Sequence, residues 1–574
     1  MRKIIAIIGI VLVCVGCANR GIGPQGGPRD SIPPQPLRSV PENGALNFTG
    51  KKIDVTFSEY LQLDNISQNL LMSPPQQHAP EVKANGKHLL VLFEDTLKPN
   101  TTYTLDFGHS VCDFTERNPL PNYTFAFSTG PVIDTLQLSG RVYDAENLNP
   151  LKGITVGVYA NLEDSAFTRL PFDRIGRTDS VGAFRIGNMQ EGVYRLYAVE
   201  DISRDYRLTI GEPLAYADET VTPEAQTDSA LTLWLFSQQQ QRLYMQRSQR
   251  EKQHKIVIPF SATPDSLPQV RPLTDSLNYY ITYSAKRDTL TLWLTDSTSI
   301  LQDSLFLEIR YRRTDSVYHL EWTMDTLRAI WRKPRMSAKM QKMMQERQKN
   351  RKVDIRSNAR SGFDIYDTLR IVSTTPLKDF IADSMHLYER IDTILKPVAF
   401  KIAPTDTLPM QLDLMASLKA GKKYELHLDS AALHDVYDAP NKAEKFTLQL
   451  KTPEDYSTLR VKLNPYLPKA RIQLLNARDE VVRELPANPS GAFFNYLKPD
   501  VYYLRLYLDL NDDQRWTTGS WDEHRQPEQV FYFPAKLQTK PNWDFEEEWD
   551  YLAVPQTVAK PAELIKASSS KRSK

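Results

Sequence analysis

The sequence predicts an all-β chain, a tandem of β-sandwiches with short helical linkers. Three observations carry that reading. Tyr, Phe, Thr, Val and Leu fill short runs that alternate with polar residues, the two-residue period of a strand with one buried face. Turn-forming residues punctuate the runs, as in Pro41-Glu42-Asn43-Gly44 and Asn85-Gly86. Two long stretches of this pattern then occur twice. At 574 residues the chain has room for about four domains of ~150 residues each.

Residues 1–17 precede any such pattern. Arg2 and Lys3 give a positive start, an apolar run follows from Ile4 to Val15, and Gly16-Cys17 closes it. The run is too short to span a bilayer as a mature helix, which takes ~20 residues. These are the parts of a secretory signal peptide. Cys14-Val15-Gly16-Cys17 resembles a bacterial lipoprotein lipobox, with Cys14 in the place of the usual Leu. The resemblance implies that Cys17 becomes the first residue of the mature chain, carrying diacylglyceryl and N-acyl lipid. Two acyl chains anchor a protein stably where one does so only marginally. An ordinary signal peptide with a chance cysteine is the competing reading. Residues 18–36 are rich in Gly and Pro and read as a flexible tether. Ala18 after the cysteine is similar to the outer-membrane sorting pattern, and no acidic cluster follows it to signal surface export. The expected address is therefore the periplasmic face of the outer membrane, with surface exposure left open.

Composition narrows the function. Lys and Arg number 71 against 70 Asp and Glu, for a formal net charge of +1. A nucleic-acid binder would carry a one-sided basic excess. Of the three cysteines, two lie in residues 1–17. Once Cys17 is lipidated only Cys112 is left in the body, so no intrachain disulfide can form and ordinary cores must supply stability. Cys112 reads as a small buried hydrophobe.

Residues 37–130 form the first sandwich, with alternation at Ile53–Phe57, Leu89–Phe93, Tyr103–Phe107 and Phe125–Thr129. Leu97-Lys98-Pro99-Asn100-Thr101-Thr102-Tyr103-Thr104-Leu105, Val40-Pro41 and Phe127-Ser128-Thr129 resemble the S-layer-type bacterial Ig-like domain. Residues 134–236 form the second. Leu138–Asp144, Pro150–Val156, Thr178–Ile186 and Gly192–Leu196 are similar to the carboxypeptidase regulatory-like domain, a non-catalytic transthyretin-like sandwich. Leu418–Leu426 then repeats the Leu97–Leu105 pattern, which predicts a second Ig-like domain over 363–453. Ser490–Phe493 and Tyr503–Tyr507 repeat Val181–Phe184 and Tyr194–Tyr197, which predicts a second regulatory-like module over 456–553.

Between the copies, 255–334 reads as a degenerate sandwich. Asp-Ser/Thr-Leu recurs there at Asp275, Asp288, Asp303 and Asp325, with side-chain turns expected at the Asp and a buried strand face from the Leu. Residues 237–254 are polar and helix-capable, 335–352 form a basic helical linker by propensity, and 556–574 read as a disordered tail. The helix 335–352 could lie on anionic lipid or in a partner's groove, or be a solvated linker. The whole resembles a family of Gram-negative lipoproteins with an N-terminal Ig-like domain, whose tether reads as Gly26-Gly27-Pro28-Arg29-Asp30 and Pro33-Pro34 do here.

No Gly-x-Ser-x-Gly elbow, zinc-protease motif, Walker loop or dinucleotide fingerprint occurs. The closest histidines, His427 and His434, do not have ligand spacing. The best ion-binding candidate is Asp509-Leu510-Asn511-Asp512-Asp513, with oxygens of Asp509, Asn511 and Asp513 at the alternate positions a calcium loop uses, and Asp201-Ile202-Ser203-Arg204-Asp205 is a weaker match. Gln514 stands where such a loop wants Gly, and Ser520 where it wants Glu, so a hairpin turn bonding its own backbone is the alternative. Trp516 and Trp521, among the aromatics crowding the last module, are candidates for stacking on sugar. Trp543 and Trp549 sit among acidic residues that could meet the basic helix. The expected protein is a non-catalytic lipoprotein without a cofactor. It meets outer-membrane lipid through Cys17 and an unknown envelope protein through its modules. A carbohydrate-, peptidoglycan-binding or adhesion role, and a hydrolase with a cryptic site, are the rival readings.

Overall fold

The computed structural model describes residues 30–225, 231–238, 242–273, 277–315, 319–332, 343, 351–404 and 409–566. Cys17, most of the tether and most of the basic segment 335–352 lie outside these residues. The chain folds as tandem all-β sandwiches with few and short helices. It divides into two compact units. The first runs to Val142 and takes in Leu151–Thr209 and Ala215–Leu233; the second takes Tyr143–Pro150, Ile210–Leu214 and the chain from Trp234 on.

The first sandwich has a four-stranded sheet in the spatial order Pro36–Val40, Lys52–Phe57, His88–Leu92, Glu81–Asn85. A three-stranded sheet faces it, Leu71–Ser73, Thr102–Asp106, Thr124–Ser128, with the pair Leu61–Leu63 and Val111–Asp113 beside them. Period-2 burial follows from the sequence: Ile53, Val55 and Phe57 turn inward while Asp54 and Thr56 do not. They meet Leu89, Val91, Tyr103, Leu105, Phe125 and Phe127 in one core.

Residues 355–450 have the same strand order. One sheet runs Ile355–Ser357, Leu369–Ser373, Gln411–Ala416, Phe400–Pro404; the facing one contains Met385–Ile391, Lys423–Leu428 and Glu444–Leu450; Leu377–Phe380 pairs with Leu433–Asp435. Ser361–Phe363 and Ile394–Pro397 extend the facing sheet. Details repeat as well. The Tyr103 hydroxyl accepts the Lys98 N–H at 2.7 Å, and the Tyr424 hydroxyl accepts the Lys419 N–H at 2.8 Å. Buried Asp113 accepts N–H groups of residues 115–118, and buried Asp435 those of Tyr437 and Ala439.

The second and last sandwiches are also topological copies. In the second, Ala183–Met189, Leu136–Asp144 and Leu231–Leu235 form one sheet, and Arg174–Arg177, Thr155–Tyr159, Arg195–Val199 and Leu214–Tyr216 the other. In the last, Ala492–Leu497, Ser457–Leu463 and Asp544–Trp549 face Val481–Pro486, Ala470–Leu475, Val501–Leu508 and Val530–Tyr532. Numbered within each module, both read fourth-first-last against third-second-fifth-sixth.

Residues 249–330 form a further sandwich. Gln249–Lys252, Lys255–Pro259, Thr289–Leu294 and Tyr279–Tyr283 pack on Gln269–Pro272, Ser304–Thr314 and Leu320–Ile330. Three expectations change here and at the end of the chain. The described part of 237–254 is extended rather than helical, because Leu243 and Met245, two apart, both pack on the core. Asp325 sits within a strand, not a turn, where it accepts the Tyr311 hydroxyl at 2.7 Å. The tail is folded as far as residue 566, with helical turns at Gln556–Ala559 and Ala562–Leu564 and with Lys560 and Leu564 buried.

Candidate functional site: loops, junctions and exposed faces

The calcium-like loop is closed on itself. Asp509 ends a strand, is buried, and accepts the N–H groups of Asp513 and Gln514, both at 3.0 Å. Asn511 and Asp513 bond each other and Thr517. Buried Glu528 pins the loop from below through the N–H groups of Leu510 and Thr517. This is the hairpin-turn alternative, and Asp201 makes the matching turn through Asp205 and Tyr206. Among the described residues no group of three or more His, Cys, Asp or Glu could hold a metal.

The tryptophans named for sugar stacking do not form an open platform. Trp516 is half-buried on the cluster of Tyr503, Tyr507, Val530 and Tyr532, and its Nε1 donates to the Glu528 carbonyl at 2.9 Å. Trp521 is 9% exposed. Its loop is held down by the Thr518 hydroxyl on the Ser237 carbonyl, at 2.8 Å. Trp549 is core, and two carboxylates of the acidic strand are used inside their own module: Glu546 pairs with Arg460 and Glu548 accepts from Asn464. The exposed tryptophans are Trp322 and Trp543. The sequence neighbours of Trp322 gave no sign of this, because a strand residue's exposure depends on which face the register turns outward.

His427 and His434 serve separate partners, Glu425 at 2.9 Å and Asp379 at 3.0 Å. Cys112 is buried, and burial together with Asp64 and Asp113 pushes its thiol pKa up, which suppresses the reactive thiolate.

Several buried and convergent polar groups lie where modules join. Within the first unit, the Arg174 guanidinium donates to the Thr102 and Ser73 carbonyls and lies 3.6 Å from Asp134. Within the second, Asp364 receives Lys451 at 3.1 Å, Arg360 at 2.9 Å, Lys498 at 2.7 Å and the Tyr456 hydroxyl at 3.0 Å. Burial alone would raise its pKa, but hydrogen bonds from Lys498, Lys451 and Tyr456 hold it at about 2. Asp364 and Lys451 belong to one module, Tyr456 and Lys498 to the next. Buried Asp435 takes Arg351 at 2.8 Å, and that guanidinium lies over the Tyr437 ring. The Tyr437 hydroxyl donates to the His254 carbonyl at 3.3 Å, and burial lowers the His254 imidazole to about 4. Lys560 is buried against Asp479 at 2.8 Å and the Asn147 carbonyl at 2.7 Å. These are pairs and clusters with satisfied partners, the arrangement that fixes one packing geometry between modules.

Among the described residues no helix is long and apolar enough to cross a membrane. No curated protein matches the chain. Solved structures align over parts of it. The N-terminal part of the bacterial S-layer protein SbsC is 12% identical, covering 29% of this chain and 44% of its own, with a TM-score of 0.17. The major pilin subunit BcpA of Bacillus cereus is 8% identical, covering 72% and 99%, at 0.13. The Bacteroides ovatus mixed-linkage glucan utilization protein SGBP-B is 9% identical, covering 70% and 89%, at 0.17. At such values the likenesses carry no argument about activity, and the chain spans less than half of that S-layer structure. Residues 30–129 match the bacterial Ig-like domain family, so the sandwich first expected over 37–130 is a bacterial Ig-like domain.

Proposed function

We propose that this chain is a lipid-anchored, non-catalytic scaffold of the cell envelope. In this reading Cys17 carries the lipid, the Gly/Pro tether lifts the first sandwich off the periplasmic face of the outer membrane, and the modules present a surface to an envelope protein. The second and last modules are transthyretin-like spacers. The observation that carries the reading is the duplicated architecture with buried charge at its junctions. Two topological copies of two sandwich types, closed within each unit by groups such as Asp364 and Arg174, suit a spacer and contain no convergent polar cleft among the described residues. A hydrolase would place a nucleophile, a base and an oxyanion donor together. Here two carboxylates whose pKa is held low, Asp364 and Glu425, are met by basic partners instead. The sugar-stacking reading built on Trp516 and Trp521 loses its support, since both side chains are used in packing.

Metabolic palmitate labelling tests the anchor. The wild-type chain is expected to take label, and Cys17→Ala to take none. Label surviving the substitution, or an unmodified amino terminus by mass spectrometry, defeats the proposal.

A further inference from the structure

The hairpin of Ser304–Thr314 and Leu320–Ile330 has two unlike faces. Leu305, Leu307, Ile309 and Tyr311 turn into the core. The other face opens to solvent with Trp322 at 50% and Met324 at 63% exposure. In register, Phe306 lies opposite Arg328, Arg310 opposite Met324, and Arg312 opposite Trp322. The Arg310 guanidinium stands 4.8 Å from the Trp322 ring centre and that of Arg328 stands 5.6 Å from Phe306. Neither has an ion-pair partner among the described residues. Arg312 is paired with Asp265 at 2.6 Å, and Arg271 lies 3.7 Å from Glu308, so four arginines meet two carboxylates among the described residues here. The face is therefore net positive on a chain that is nearly neutral overall.

We propose that this face binds an acidic polysaccharide. An arginine laid on a ring has lost much of its rotamer freedom before a ligand arrives. Its N–H edges remain free for the planar, two-point grip that a carboxylate accepts. The exposed indole and Met324 offer apolar surface to the hydrophobic faces of sugar rings. Two such ring-backed guanidiniums lie roughly 13 Å apart along the strands, taking four residues at ~3.3 Å each. One small anion cannot reach both, whereas a polymer with anionic groups at intervals can. Two unpaired guanidiniums match a sparsely charged chain better than a nucleic acid, whose binding rests on neutralising many phosphates. The site is separate from the scaffold reading and does not depend on lipid at Cys17.

The test is affinity electrophoresis of the full chain in detergent, through gels containing polygalacturonate or neutral dextran, with a single-stranded oligonucleotide as competitor. Retardation is expected with polygalacturonate and not with dextran. The double variant Arg310→Gln, Arg328→Gln should bind at least about tenfold more weakly, since charged hydrogen bonds are lost. Met324→Glu, which places a negative charge directly across the strand pair from Arg310, should do the same, with thermal unfolding of both variants unchanged. No retardation by polygalacturonate, retardation untouched by either variant, or equal displacement by the oligonucleotide would overturn the proposal.

Discussion

At the scale of the residue, the chain's buried charges are its most consequential side chains. Asp364 is 1% exposed and is met by two ammonium groups, a guanidinium and a phenol. Removing its charge leaves Lys451 and Lys498 without their acceptor, so Asp364→Asn is expected to cost about 3 kcal/mol, read as an earlier denaturant midpoint for the second unit. The pH dependence has a definite sign. The folded carboxyl is held at about 2, below its ordinary 3.8. The stabilisation is therefore complete above 3.8 and is lost as pH falls from 3.8 towards 2, by about 2 kcal/mol. Asp364→Asn should remove that slope; an unchanged acid limb in the variant would show that the junction draws nothing from this charge. Trp521 makes the opposite point about a residue named for binding. Being 9% exposed, it should announce itself in Trp521→Ala through stability, at about 3 kcal/mol, rather than through any loss of retention on glycan.

At the scale of the element, close packing between strands sets the tolerance to change. Gly157 lies in the strand Thr155–Tyr159, all of it buried, and a Cβ there would stand 2.1 Å from the Phe172 ring. Phe172 is itself buried among Tyr159 and Phe167, so the ring has little room to withdraw. Gly157→Ala is therefore expected to destabilise the first unit by about 1–3 kcal/mol, measured by thermal unfolding; a neutral result would mean that this sheet yields more easily than its packing implies. Elements were legible in the sequence wherever the period was 2 and a turn residue stood at each end. Ile53–Phe57 and the copied Leu97–Leu105 and Leu418–Leu426 patterns are such cases, and the copies agree down to the tyrosine hydroxyl accepting an N–H five residues back. They were hidden where local propensity and tertiary demand disagreed. Residues 242–252 look helix-capable from their Gln, Arg and Lys, yet Leu243 reaches the sandwich core only from an extended chain. Asp325 carries the signature of a turn, but the Tyr311 hydroxyl and Arg313 give its carboxylate partners within a strand. In the tail, Leu564 and the buried Lys560 found cover that composition could not foretell, since Lys560 depends on Asn147 and Asp479, and Leu564 on Leu148 and Tyr503, all far away in sequence. The candidate sites suffered most from this. A loop rich in Asp and Asn, and a crowd of tryptophans, have the same composition whether they face a ligand or each other.

At the scale of the whole molecule, what holds the chain at a membrane can be separated from what holds it folded. Its formal net charge is +1, so it has no overall basic excess with which to cling to anionic headgroups. In the proposed role attachment comes from acyl chains, whose hold is hydrophobic at ~0.8 kcal/mol per buried CH2 and indifferent to salt. Fractionated membranes should therefore keep the wild-type chain through washes at high ionic strength and release it to detergent. Cys17→Ala should instead stay with its signal segment uncleaved or appear in the soluble fraction, without palmitate in either case. Release of the wild-type chain by salt alone would replace lipid with electrostatics as the tie. The face of attachment is decided by a second step on the same cells. A protein facing the periplasm is protected from protease added to intact cells and is cut once the outer membrane is permeabilised, with exposed connections between modules as the first sites to give way. Cleavage of the intact cells would put the modules outside. The arginine-backed rings of the Ser304–Ile330 hairpin would then meet extracellular polymer rather than the polymers of the envelope interior.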